Sequence, residues 1–148
     1  METAMDQSFG VIPVFKNRDS FLFLLTHHKG GHWAFPKGHK KEEENDRDTA
    51  RRELFEETGV KECELLELTP LHERYIFKEN GKVFEKTVKY FLGIVTNKDT
   101  STPPEFRSEI EEIKWLPYTE AMNLITFSTT KKVLKEAANL LKLSQNRF

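Results

Sequence analysis

Three acids in this chain are spaced as chemistry requires rather than as solvation requires. Glu53, Glu56 and Glu57 stand at i, i+3 and i+4, so on a helix their carboxylates share one face. Like charges stacked that way repel by roughly 0.2–0.5 kcal/mol per pair, and something must offset the repulsion. A hard divalent cation is the natural agent, because Mg²⁺ takes carboxylate and water oxygens as ligands. Mn²⁺ suits the same donors. Hydrolysing a phosphoanhydride needs charge stabilised on non-bridging oxygens and an oriented water, and a cation held on clustered carboxylates serves both needs. An isolated Glu-rich helix is ordinarily a solvated surface, so the surroundings of the three acids decide the matter.

Those surroundings run from Gly38 to Val60: GHKKEEENDRDTARRELFEETGV. Residues 45–58 are helix-friendly, with Asn45 or Asp46 as cap and Gly59 as stop. Ala50 and Leu54 give the helix a narrow apolar stripe beside the acidic face, as suits a helix with one side on a core and one edge on a cleft. Before it, residues 9–15 and 20–26 read as strands joined by a turn, and 32–36 as a short extended piece ended by Pro36. After it, residues 65–74 read as a strand and Asn80-Gly81 as a hairpin turn. Residues 83–95 form a long strand with Val88, Tyr90, Leu92 and Ile94 on one side. Residues 113–117 make a short strand, Thr119 caps a short helix, and Ser128 or Thr129 opens a last helix reaching about Leu143. This order predicts an α+β fold, a mixed β-sheet between helices in an αβα sandwich.

The chain as a whole narrows the classes. At 148 residues it is read as one domain, 1–148. Lys and Arg total 23 against 24 Asp and Glu, a net charge of −1. That balance argues against nucleic acid or an anionic membrane as partner. Cys63 is the sole cysteine, which excludes an intrachain disulfide and a thiolate zinc cluster and fits a reducing cytoplasm. The opening METAMDQSFG lacks a signal-peptide layout, and no apolar run approaches the ~20 residues that span a bilayer.

The pattern Gly38, five residues, Glu44, seven residues, Arg52-Glu53-Leu54, one residue, Glu56-Glu57, one residue, Gly59-Val60 resembles the signature of the Nudix hydrolase family at every defining position. The resemblance implies Glu56 and Glu57 as principal metal ligands and Glu53 as a ligand or an aid to the base. A backbone carbonyl from a turn at Gly38 adds an oxygen donor, and an Arg52–Glu44 salt bridge orients the acids. The family often draws a further acid from a later loop. Glu109 is the candidate, as base or extra ligand, with Glu111 and Glu112 as competitors. Glu53, Glu57 and Glu109 are thus the expected catalytic acids.

His32-Trp33-Ala34-Phe35-Pro36-Lys37-Gly38-His39 resembles the entry segment of the branch that hydrolyses diadenosine tetraphosphate asymmetrically. That likeness implies a small dinucleoside polyphosphate as substrate, cut to ATP and AMP. Lys37, Lys86 and Lys89 are candidates to neutralise the phosphates, and His32 to donate a hydrogen bond to them, more strongly when protonated. Tyr75 and Phe127 are candidates to sandwich an adenine. Plainer readings stand beside these: Phe127 as core, Lys86 and Lys89 as solvated charges, Trp33 and Phe35 as packing, and His27 and His28 without a site. RNA 5′ pyrophosphohydrolysis or cap-type hydrolysis, hydrolysis of another nucleoside diphosphate-linked substrate, and a non-catalytic ligand sensor are the alternative functions.

Overall fold

From Phe9 to Val14 the chain is apolar at nearly every position, the pattern of a strand buried on both faces. In the structure, a computed structural model describing residues 3–68 and 70–144, this run is the centre of strand β1 (Thr3–Asn17), and Ser8 through Val14 are all buried. On one side β1 runs parallel to β7 (Lys82–Ile94), from Thr3↔Val83 to Val14↔Ile94. On the other it pairs antiparallel with β2 (Ser20–His28) through the expected tight turn. β3 (Trp33–Ala34) and β8 (Ile110–Pro117) pair with β2, and β4 (Lys37–Gly38) pairs with β1 at Phe9 and Gly10. β5 (Glu64–Leu65) and β6 (Leu71–Glu79) pair with β7, which completes an eight-stranded mixed sheet.

Helix α1 (Asp46–Thr58) lies on one face, where Ala50 and Leu54 meet Phe9, Val11, Leu24 and Phe91. Helices α2 (Tyr118–Leu124) and α3 (Ser128–Ser144) cover the other, where Val133, Leu134 and Leu141 meet Ile12, Phe23, Val88 and Tyr90. The expected αβα sandwich is therefore present. Asn45, not Asp46, caps α1, closing a capping box with Asp48. The hairpin at Asn80-Gly81 has φ of 51° and 76°, as an Asn-Gly turn requires.

Several boundaries differ from expectation, β1 among them, which starts at Thr3 rather than Phe9. Residues 65–74 are not one strand: β5 ends at Leu65 and β6 starts at Leu71, beyond Pro70, which cannot donate to a ladder. β8 begins at Ile110 rather than Ile113, which draws Glu111 and Glu112 into the sheet. α2 starts at Tyr118 with Pro117 before it, so Thr119 lies inside the helix and caps nothing.

Gly59 ends α1 with φ of 78°, and a Cβ there would lie 2.2 Å from the Ser101 carbonyl oxygen. Both the left-handed backbone and the close crossing exclude a side chain. Gly59→Ala should lower stability by about 2 kcal/mol or more in urea unfolding. A loss under about 0.5 kcal/mol, the range of ordinary surface substitutions, would contradict this packing.

Candidate active site

α1 and β4 together build the acidic wall. β4 crosses so close to the helix that a Cβ on Gly38 would sit 2.0 Å from Glu53 Cδ and 2.1 Å from its Oε1. Gly38 is thus needed for contact. It lies in a strand paired with Phe9, not in the turn expected from sequence. Gly10 performs the matching service on β1, since a Cβ there would reach the Pro36 carbonyl oxygen at 2.3 Å. One turn deeper on α1, Glu57 is only 5% exposed, and its Oε1 has no hydrogen-bond partner. Burial, then the charge of Glu53, pushes the Glu57 carboxyl well above the usual range. Burial also raises Glu53, against the pull of Arg52.

Arg52 organises the remaining acids. Its Nε donates to Glu44 Oε2 at 2.6 Å and its Nη2 to Glu44 Oε1 at 3.1 Å, a two-pronged grip. Nη2 also donates to the His39 carbonyl at 2.7 Å, tying the loop after β4 to α1. Nη1 reaches Glu53 Oε1 and Glu56 Oε1, each at 3.1 Å. The grip of Arg52 holds the Glu44 carboxyl down at about 2. Glu56 therefore faces Arg52, whereas Glu53 and Glu57 line a cleft of about 670 Å³. Among the described residues no three His, Cys, Asp or Glu side chains converge as a ready-made metal cluster. What stands there is a buried carboxylate with Oε1 unbonded, a second carboxylate and a glycine backbone pressed against the latter. That is an all-oxygen donor set, and it fits a hard divalent cation.

The cleft also holds cations, one of them on β4 itself. Lys37 and Lys86 line the cleft with His32. Lys86 is 4% exposed, and its Nζ donates to Asp6 Oδ2 at 3.0 Å and Ser8 Oγ at 2.5 Å. Burial, then Lys37, lowers its pKa, and Asp6 opposes the fall. Asp6 also binds His39 Nε2 at 2.7 Å. Lys86 is thus no solvated strand charge but a fixed cation. His28 stacks on His32 at 4.7 Å and 2°. Burial, followed by the charges of His32 and Lys37, depresses His28 to about 3. Its 3.8 Å approach to Glu57 Oε1 is therefore no ion pair at neutral pH. Burial and Lys37 lower His32 too, which favours the neutral ring, the weaker of the two donor forms expected.

Other expectations need correction. Lys89 is not in the cleft: it lies three residues from Lys86, hence on the opposite face of β7, where it binds Asp46 Oδ2 at 2.8 Å. Phe127 is 50% exposed beside His32 at 5.5 Å and is not a core residue. Tyr75 is half-buried opposite Lys86 and meets Phe77. Glu109 stands on the cleft rim, close enough to raise both Glu53 and Glu57. Its competitors point elsewhere: Glu111 lies 3.6 Å from His27 and Glu112 lies 3.7 Å from Lys114. Phe35 is fully buried, as a packing residue should be.

Sequence reasoning missed Asp6, Ser8, His28 and Glu73. Buried Glu73 accepts from Thr129 and Thr130 Oγ1 at 2.7 Å each, pinning the start of α3 behind Phe127. The only hint of Asp6 and Ser8 was their alternation on the polar lead-in to an apolar strand.

A family model for the NUDIX domain matches residues 5–137. The Rattus norvegicus bis(5'-nucleosyl)-tetraphosphatase [asymmetrical] is 36% identical over 121 residues, covering 80% of this chain and 80% of that protein. The Caenorhabditis elegans m7GpppN-mRNA hydrolase dcap-2 is 32% identical over 114 residues, 73% of this chain but 13% of that protein. A crystal structure of a C. elegans Ap4A hydrolase binary complex superposes with a TM-score of 0.74 at 24% identity, covering 93% of this chain and 98% of that one, a likeness of fold. With its glutamate-bearing helix set against Gly38, this chain belongs to the NUDIX family and is a Nudix hydrolase.

Proposed function

We propose that this chain hydrolyses dinucleoside polyphosphates with a divalent cation, and that diadenosine tetraphosphate is cut to ATP and AMP. One observation carries the reading: the buried Glu57 carboxylate, with its Oε1 unbonded, shares a cleft with Lys37 and the fixed cation Lys86. Such a site has negative oxygens for a metal and positive charge for a phosphate chain. The 36% identity to the rat tetraphosphatase supports the choice of substrate. Glu57, Glu53 and the Gly38 carbonyl would hold Mg²⁺ or Mn²⁺, with Glu56 joining when its carboxylate leaves Arg52. When bound, the cation supplies positive charge against phosphate oxygens and acidifies a water.

The chain's own residues do the rest. Lys37 and Lys86 neutralise the phosphates, with Asp6 and Ser8 aiming Lys86. His32 donates from its neutral ring, Tyr75 and Phe127 receive a base, and Glu109 takes the proton of the attacking water. Arg52 and Glu44 hold the acids in place. The 1–148 chain acts as one domain, in the cytoplasm, on a small-molecule substrate. The dcap-2 likeness favours a second reading, cleavage at an RNA 5′ end.

Chromatography of the products separates these possibilities. ATP and AMP from diadenosine tetraphosphate, only with added Mg²⁺ or Mn²⁺, is the expected result. Two ADP molecules, undiminished cleavage in EDTA, or far faster cleavage of 5′-triphosphate or capped RNA would contradict it.

Glu57→Gln should cut turnover at least about a hundredfold, since even partners behind metal ligands are worth 10–100-fold. The same variant should be more stable than the parent when metal-free at pH 8. The folded pKa of Glu57 is raised above its unfolded value. The stabilisation from its protonated form is therefore full below the unfolded pKa and lost as pH rises through the folded one. The gap in melting temperature should thus widen from pH 5 to pH 8; a constant gap would show that Glu57 is not a strained carboxylate.

Lys86→Ala should raise KM for the dinucleotide about tenfold or more, the equivalent of 1.4 kcal/mol. Lys89→Ala, on the far face, should leave KM within about twofold. Equal effects from the two would contradict the placement of the cationic wall.

A further inference from the structure

The β6–β7 hairpin carries one face outward from the core through the cleft to an aromatic ledge. Leu71↔Tyr90, Glu73↔Val88, Tyr75↔Lys86 and Phe77↔Phe84 are directly opposed, so these eight side chains share a face. Leu71, Tyr90 and Val88 belong to the main core, and the start of α3 meets β6 at Glu73. Next comes Lys86, which lines the cleft, with Tyr75 across from it. Beyond them Phe77 and Phe84 stack at 5.0 Å between centroids and 11° between planes, and Tyr75 leans on Phe77 at 6.2 Å. Neither phenylalanine belongs to either core cluster, and both are only half-buried.

A half-exposed pair of parallel rings is costly to keep in water and presents the flat apolar surface on which a heterocycle stacks. Residues two apart on a strand are separated by roughly 7 Å, so Phe84 stands next to the lysine that meets the phosphates. A substrate with a nucleoside at each end of its phosphate chain has one base left over once Tyr75 and Phe127 hold the first. We propose that Phe77 and Phe84 form a second base-stacking subsite that selects substrates bearing two nucleosides. This rests on the dinucleoside polyphosphate reading above.

The test compares kcat/KM for diadenosine tetraphosphate and for adenosine tetraphosphate, which lacks one adenosine. It is run on the parent and on a Phe77→Leu, Phe84→Leu variant that keeps apolar bulk without flat rings. The parent should prefer the dinucleoside by about tenfold, the scale that one stacked base supplies. The variant should lose that preference while its activity on adenosine tetraphosphate stays unchanged. A preference that survives, an equal loss on both substrates (as from a mere prop for Tyr75), or no preference in the parent would each overturn the subsite. So would a surviving preference with altered sedimentation, which assigns the ledge to contact between copies. Cleavage of neither tetraphosphate would sink the dinucleoside reading itself, and the subsite with it. If the double variant melts early, Phe84→Leu alone is read by the same criteria.

Discussion

The site is organised around a carboxylate that the fold buries almost completely. Glu57 has one oxygen unbonded, next to a second carboxylate and beside a histidine that burial keeps neutral. Desolvating an uncompensated charge is among the larger costs a fold can carry. The rest of the molecule makes that position tenable. Gly38 and Gly10 let β4 approach so closely that its backbone lies against the Glu53 carboxylate. Arg52 grips Glu44 with two nitrogens and steadies Glu53 and Glu56 with a third. Arg52 thus bonds every acid of the helix face except the deepest, Glu57, whose charge Lys37 of β4 eases instead.

The phosphate-facing wall obeys the same logic with opposite sign. Lys86 is a buried cation whose position is set by Asp6 and Ser8 across the parallel β1–β7 pairing, a contact 80 residues apart in sequence. Fixing the ammonium in this way removes the side-chain freedom that a flexible lysine loses on binding. The central parallel pair therefore does more than close the core. It places a cation opposite the acids that α1 brings from the other side of the sheet.

Much of this was legible in sequence because local rules carried it. Asn45 and Gly59 mark the ends of α1 through capping and left-handed geometry, and the i, i+3, i+4 acids follow from helical periodicity. The Asn80-Gly81 turn and the alternation of Val88, Tyr90 and Leu92 fixed the hairpin. Legibility failed where tertiary contact decides. Strand parity alone separates Lys86 from Lys89, a distinction available in the sequence but overlooked. Asp6, Ser8 and Glu73 owe their roles to partners 56 to 80 residues away, and no local pattern announces them. Gly38 suggests a turn by its type, yet its place is dictated by the Glu53 carboxylate pressing on it.

The most direct measurement is the titration of Glu57 itself, followed by carbon NMR of the labelled carboxyl in metal-free protein and again with Mg²⁺. The account predicts a carboxyl that stays protonated well above the usual glutamate range, then shifts and deprotonates as the cation is added. An ordinary glutamate titration, unmoved by magnesium or manganese, would contradict it.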